Sequence, residues 1–167
     1  MQKDPVVAAL ITTILFLSGC HSTPGPAAAV NPTTPVTDSC AVLTPAEISE
    51  VLGVPIDPGK NIPPSSTTLC SWSQTDVTGE AATKLVLNFA TPNYFQKEKT
   101  PTNPRVTVSP AAGIGDEAYY VTSEFGISLF VRKGSTAIGF GIHDKTLSAD
   151  QLKTKEKALA LKAVARL

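Results

Sequence analysis

The chain contains 167 residues, 14 of them basic and 14 acidic, so its formal net charge is zero. This balance gives no electrostatic basis for binding nucleic acid or an anionic membrane patch. The length suits one folded domain, and no internal repeat is visible.

The N-terminal segment is apolar from Val6 to Leu17, apart from two threonines, and is followed by Ser18-Gly19-Cys20. A membrane-spanning helix needs about 20 apolar residues, whereas the apolar region of a secretory signal has about 7–15. Leu17-Ser18-Gly19-Cys20 resembles the lipobox of bacterial lipoproteins, in which the cysteine becomes the lipid-modified first residue of the mature protein. The resemblance implies a signal peptide over residues 1–19. An ordinary signal peptide, with Cys20 near the cleavage site by chance, is the alternative.

Lipidation of Cys20 would attach the exported protein to a membrane. The resemblance implies a diacylglyceryl thioether, often with a further acyl chain such as palmitate, and two chains anchor stably at about 0.8 kcal/mol per buried CH₂. We therefore expect an extracytoplasmic location on the cell membrane or the outer membrane. His21 follows the cysteine, where an Asp would favour retention in a Gram-negative inner membrane.

Cys40 and Cys70 are the two cysteines that remain after Cys20. Two thiols in an exported domain predict one disulfide. A metal-binding pair is the alternative, but zinc requires about four ligands and no histidine lies near either cysteine in sequence. A redox role would more naturally use C-x-x-C, which is absent.

Residues 20–38 carry the lipidated cysteine and then a segment rich in Pro, Thr and Ala, which predicts a semi-extended tether. The folded domain is expected over residues 39–167. Its first helix should begin after Thr44, because Thr44-Pro45-Ala46-Glu47 forms a capping box with proline at the first helical position. Gly53 predicts the end of this helix. A proline-rich connection follows over residues 54–66.

Strand patterns then alternate with turn residues. Alternating or β-branched apolar residues predict strands over 68–73, 84–90, 106–108, 118–122, 127–132 and 136–142. A short helix is expected over 94–99. A terminal helix should begin after Ser148, because Ser148-Ala149-Asp150-Gln151 forms a second capping box. Its lysines 153, 155, 157 and 162 should mostly face solvent. Gly139 and Gly141 indicate a bulge or a close packing site in the last strand. These elements predict an α+β fold, with an antiparallel sheet and helices packed on one face.

Several short segments, in this order, resemble a known family. They are residues 40–49, Val51-Leu52-Gly53, Cys70-Ser-Trp72, residues 113–119 and Val131-Arg132-Lys133-Gly134. The chain is similar to small bacterial lipoproteins of the DUF3558 kind, which have no assigned activity. The resemblance implies an exported α+β lipoprotein with a Cys40–Cys70 bridge and, by looser analogy, a fold like that of Mog1 and PsbP. It supplies no catalytic residues.

Residues 113–117 form the most distinctive internal motif, Gly-Ile-Gly-Asp-Glu. The glycines suit a tight turn into a strand, and the carboxylates of Asp116 and Glu117 could alternatively bind a cation or polar ligand. Aromatic residues are the other ligand candidates, either as a pocket lining or, more usually, as core: Trp72, Tyr94, Phe95, Tyr119, Tyr120 and Phe125.

These patterns favour a non-catalytic binding or interaction module at the cell envelope over an enzyme. The expected partner, besides the membrane, is an envelope protein or a small apolar ligand, with no cofactor and no metal. The alternative is an envelope hydrolase that uses His143 with Asp116 or Glu117. That alternative lacks a visible nucleophile motif, and Asp144 is poorly placed to orient its neighbour on an extended chain.

Overall fold

The computed structural model describes residues 36–167. The predicted signal peptide, Cys20 and all but the end of the tether therefore lie outside the described residues. The first element is a short 3₁₀ helix, Ser39–Ala41, which begins where the folded domain was expected to start. Among residues 36–167, no helix is long and apolar enough to cross a membrane.

Seven antiparallel strands form a single sheet in the order β1-β2-β3-β7-β6-β5-β4. Their bounds are β1 Lys60–Asn61, β2 Leu69–Ser73, β3 Lys84–Ala90, β4 Thr107–Pro110, β5 Glu117–Ser123, β6 Gly126–Lys133 and β7 Thr136–His143. The central β7 returns from the β6 hairpin to pair with β3, from Lys84 opposite His143 to Ala90 opposite Ala137. The α+β class and the antiparallel sheet are confirmed. Only β1 was not predicted, because its two residues lie in the proline-rich connection.

Within residues 36–167, three α-helices accompany the sheet: α1 Pro45–Leu52, α2 Pro92–Lys99 and α3 Ala149–Val164. Both predicted capping boxes are present, at Thr44 before α1 and at Ser148 before α3. In each, the side chain at the cap accepts a hydrogen bond from the backbone three residues later, and that residue's side chain bonds back. Gly53 ends α1 in the left-handed conformation, with φ of 79°.

The main core lies between one face of the sheet and helices α1 and α3. Its fully buried residues alternate along the strands, as Leu85 and Leu87 do in β3, and α3 contributes Leu159. Trp72 is also part of this core, with 1% of its surface exposed.

The prediction that the helices pack on one face is wrong for α2. Phe95 of α2 is fully buried in a second cluster on the opposite face, which the strands build from Tyr119, Val121, Phe130 and Ala137. The physical reason is that β5, β6 and β7 carry apolar residues at successive positions. One face of these strands meets α3, and the other must be covered by α2.

The predicted disulfide is present. Cys40 and Cys70 are bonded, with their Cα atoms 5.1 Å apart, so the bond joins the first 3₁₀ helix to β2. Gly59 lies against this junction, since a Cβ atom there would approach Cys70 Sγ and Trp72 Nε1 to 2.6 Å. The connection over residues 54–66 is therefore packed onto the sheet.

The lysines of α3 are engaged more than their sequence pattern indicates. Lys155 donates hydrogen bonds to the carbonyls of Val51 and Leu52 at the end of α1, at 2.8 and 3.2 Å. Lys157 donates to the carbonyl of Ala112 at 2.9 Å. A cation suits the position of Lys155 because the last carbonyls of a helix lack intrahelical partners. The expectation that these lysines mostly face solvent holds for Lys157, which is exposed, whereas Lys155 is partly buried against the end of α1.

Candidate functional site

The loop over residues 113–117 is a tight turn into β5, as predicted. Gly113 and Gly115 both have positive φ, at 80° and 57°. A Cβ atom on Gly115 would lie 2.5 Å from the carbonyl oxygen of Arg132, so the turn packs directly on β6.

The two carboxylates of this loop are already engaged by neighbouring groups. Asp116 accepts a hydrogen bond from the backbone N–H of Gly134 at 2.7 Å. Glu117 lies 2.5 Å from Lys99 Nζ and 3.3 Å from Arg132, and its hydrogen bond with Lys99 lowers the pKa of its carboxyl. These contacts fasten the turn to α2 and to the β6–β7 hairpin.

His143 is not close to these carboxylates. It is exposed at the end of β7. Glu117 of β5 is paired with Arg132 of β6, and Arg132 is paired in turn with Ala137 at the start of β7. Six residues of strand separate Ala137 from His143, which is about 20 Å. Asp144, next to His143, accepts a hydrogen bond from Thr83 Oγ1 at 2.6 Å. The groups of the hydrolase alternative are therefore not assembled in one site.

Of the aromatic candidates, Trp72 and Tyr119 are core residues on opposite faces of the sheet. Tyr119 is 2% exposed, and its hydroxyl donates a hydrogen bond to the carbonyl of Phe95. Burial raises the pKa of this hydroxyl well above its usual range, so it remains a neutral donor. Tyr119 and Glu117 do border a shallow depression of about 470 Å³ beside β4.

Tyr94 and Phe125 are the aromatic candidates that remain accessible, with 43% and 86% of their surfaces exposed. They lie at a concave region on the α2 face of the sheet. This region consists of two adjoining cavities of about 270 and 190 Å³, which share the wall formed by Tyr94, Ser128 and Phe130. We call the two cavities together the trough.

The floor of the trough is the middle of the sheet, where β7 contributes two glycines. Gly139 has a packing explanation, because a Cβ atom there would lie 2.5 Å from Asn88 Oδ1 and 3.0 Å from Phe130. Gly141 does not have one, because its Cβ atom would meet only Ser128 Oγ, at 3.6 Å. The predicted close packing therefore holds for Gly139, whereas Gly141 leaves the floor bare.

Polar and charged side chains line the opening of the trough between α2 and the β5–β6 hairpin. Glu98, Asn103, Arg105 and Glu124 all border the larger cavity. Within the described part of the chain, none of the three charged residues forms an ion pair. Burial, followed by the nearby Glu98 carboxylate, raises the pKa of the Tyr94 hydroxyl. The opening thus offers a neutral hydroxyl, an amide, carboxylates and a guanidinium.

A buried acid lies on the other side of the sheet from the trough. Glu156 of α3 is fully buried, and its Oε1 accepts the backbone N–H of Ile142 at 3.1 Å. The ladder between β6 and β7 ends two residues before Ile142, at the pair formed by Leu129 and Phe140. Oε2 has no hydrogen-bond partner among residues 36–167. Burial raises the pKa of Glu156 to about 8.

Sequence reasoning identified Tyr94 and Phe125 as pocket candidates but missed the polar members of the trough. Asn88 and Ser128 stand at alternate strand positions that face away from the main core, and Gly141 follows the same alternation. The alternation of these residues is visible in the sequence, but it indicates a cavity only once the second face of the sheet is known to be partly covered by α2. Within residues 36–167, no group of three or more His, Cys, Asp or Glu side chains is arranged to hold a metal ion.

Comparison with known proteins found no matching family model, no matching curated protein and no matching solved structure.

Proposed function

We propose that this protein is a lipid-anchored lipoprotein of the cell envelope whose folded domain binds a ligand without transforming it. Anchoring is supported by the apolar run that ends in Leu17-Ser18-Gly19-Cys20. The Cys40–Cys70 disulfide agrees with export, because such bonds persist in oxidising compartments. The order of motifs that resembles the DUF3558 lipoproteins supports the same assignment, and a Mog1/PsbP-like fold remains part of this proposal.

The observation that carries the binding role is the trough. Binding sites are usually concave, with a largely apolar wall and a few polar groups that fix the orientation of the ligand. The trough combines the aromatic wall of Tyr94 and Phe130 with the polar opening around Arg105. It lies on the face of the sheet opposite α1 and α3, so a ligand could enter without displacing the main core.

Anchoring is tested by replacing Cys20 with serine, which cannot form the thioether. The Cys20→Ser protein should lose incorporation of labelled palmitate and move from the detergent phase to the aqueous phase in a Triton X-114 partition. Ser18→Ala is the matched control, since it retains a small residue before the cysteine, and it should behave as the native chain does. Unchanged labelling and partitioning of Cys20→Ser would reject lipidation at this residue.

A further inference from the structure

We propose that the trough binds an uncharged saccharide, with a sugar ring seated over Gly141 and against the ring of Tyr94. This inference rests on the proposed function only in taking the domain to be a binding module. It does not depend on lipidation of Cys20.

The bare floor at Gly141 is the first argument. A glycine inside a strand weakens the strand and commonly marks a place where a ligand or another backbone approaches closely. For Gly139 the approaching group is the side chain of Asn88, 2.5 Å from where a Cβ atom would lie. For Gly141 the structure supplies no such group, because Ser128 Oγ is at ordinary contact distance, 3.6 Å. The space above Gly141 is therefore open to a ligand.

The chemistry of the wall and opening is the second argument. Sugar rings present C–H groups on their faces and hydroxyls around their edges. The C–H groups pack on aromatic faces, and Tyr94 offers an exposed ring whose centroid is 6.0 Å from that of Phe130. The hydroxyls both donate and accept, which matches a mixture of carboxylates, an amide and a guanidinium such as Glu98, Asn103 and Arg105.

Charge and backbone pairing disfavour the other common ligand classes. Two carboxylates, Glu98 and Glu124, border the opening with one guanidinium, Arg105, so an anionic ligand would meet net repulsion. A peptide that binds by strand addition needs a free sheet edge. The floor lies in β7, which stands between β3 and β6 in the sheet order and is therefore not an edge strand.

The size of the trough sets the length of saccharide that it can hold. Its larger cavity of about 270 Å³ is slightly below the roughly 300–1,000 Å³ of sites that take drug-sized ligands. A site of this volume suits one or two sugar rings, with the rest of a longer chain extending into solvent. A terminal or short oligosaccharide is therefore the expected occupant.

The test titrates the full 167-residue chain, kept in a detergent without a sugar headgroup, and follows backbone amide shifts by NMR. The probes are a β-1,4-linked N-acetylglucosamine trimer, maltotriose, α-mannotriose and, for comparison, trialanine. At least one trisaccharide should shift the amides of Asn88, Ser128 and Gly141. Probe concentrations up to about 10 mM cover dissociation constants in the millimolar range.

Two variants should weaken that saccharide. Tyr94→Ala removes the aromatic wall, and loss of an aromatic contact corresponds to about a threefold to tenfold weaker dissociation constant. Gly141→Ala raises the floor by a methyl group and should weaken binding by a similar factor. Since its Cβ atom meets only Ser128 Oγ at 3.6 Å, this variant should retain the native melting temperature. Leu161→Ala removes an exposed apolar side chain on α3 and serves as the control with native affinity.

The proposal is overturned if none of the three trisaccharides shifts these amides, if trialanine shifts them and the saccharides do not, or if both trough variants bind as the native chain does. These outcomes leave the anchoring result untouched. Conversely, a Cys20→Ser protein that still binds the saccharide would show that binding in the trough does not depend on the lipid anchor.

Discussion

Glu156 should make this protein lose stability as the pH rises from about 4.5 to about 8. The carboxyl has its usual pKa of about 4.5 in the unfolded chain, whereas burial raises the pKa to about 8 in the folded protein. Well below pH 4.5 the group is protonated in both states, so its contribution to the free energy of unfolding does not change with pH. Between the two pKa values only the unfolded state releases the proton, so the free energy of unfolding falls with pH.

The magnitude follows from the difference between the two pKa values. Each unit corresponds to about 1.4 kcal/mol, so an interval of roughly 3.5 units gives at most about 5 kcal/mol. This is a large part of the total for a domain of this size, which is about 5–15 kcal/mol. Tyr120 on β5 and Lys153 on α3 are the titratable neighbours that interact with the carboxyl. Tyr120 stays neutral through pH 8, because burial raises the pKa of its hydroxyl further.

The perturbation that isolates this effect is Glu156→Gln. Glutamine has nearly the same shape, cannot ionise and keeps an oxygen that can accept the N–H of Ile142. Urea unfolding between pH 4 and 9 can be followed by fluorescence of Trp72, the single tryptophan, which is 1% exposed when folded. The variant should match the native chain near pH 4 and exceed its stability by several kcal/mol at pH 9. Glu124→Gln, at an exposed turn, is the control and should show no such divergence.

A stability difference between native chain and Glu156→Gln that stays constant from pH 4 to pH 9 would refute this reasoning. A variant that is less stable at every pH, but whose deficit shrinks by several kcal/mol between pH 4 and pH 9, would agree with it, because only the change of the difference with pH reports the ionisation of Glu156. Other groups titrate equally in both proteins and cancel in the difference.

Two further predictions concern the disulfide and a surface ion pair. Reduction of Cys40–Cys70 restores loop entropy to the unfolded chain, so the free energy of unfolding should fall by roughly 2–4 kcal/mol and the melting temperature by about 5–15 °C. If the melting temperature measured by calorimetry does not change on addition of reductant, the bond has no structural role. Glu47 has its pKa lowered to about 2 by its hydrogen bond with Arg166. Its contribution is therefore present above pH 4.5 and lost as the pH falls towards 2, and the stability advantage of the native chain over Arg166→Gln should shrink across that interval in urea titrations.

Local interactions explain which parts of the fold could be predicted. The capping boxes at Thr44 and Ser148, the stop at Gly53 and the tight turn at Gly115 depend on residues within a few positions of one another. Strand positions followed from the alternation of apolar residues, which is also a property of short segments. The disulfide followed from the prediction that the chain is exported and that Cys20 is lipidated, because the two remaining thiols then have one possible pairing.

The use of both faces of the sheet could not be predicted, because it depends on the order of the strands. Successive apolar residues such as Tyr119 and Tyr120 indicate a strand buried on both faces. Only the packed structure shows that Tyr120 belongs to the main core and that Phe95 of α2 covers the face of Tyr119. The polar members of the trough come from separate strands for the same reason. Asn88 and Ser128 are 40 positions apart and meet the same cavity only because β3 and β6 flank β7.

By itself, the sequence determined where α1 and α3 begin, where α1 ends, the turn at Gly115 and the antiparallel α+β class of this protein. It also supplied the prediction that Cys20 anchors it. The tertiary structure decided that Glu156 is buried, that Lys155 of α3 bonds to the carbonyls at the end of α1, and that Gly141 lies bare at the bottom of a trough. The physical reason is that burial and contact depend on which distant segments pack together. The residues next to a side chain in the sequence do not determine which distant segments pack against it.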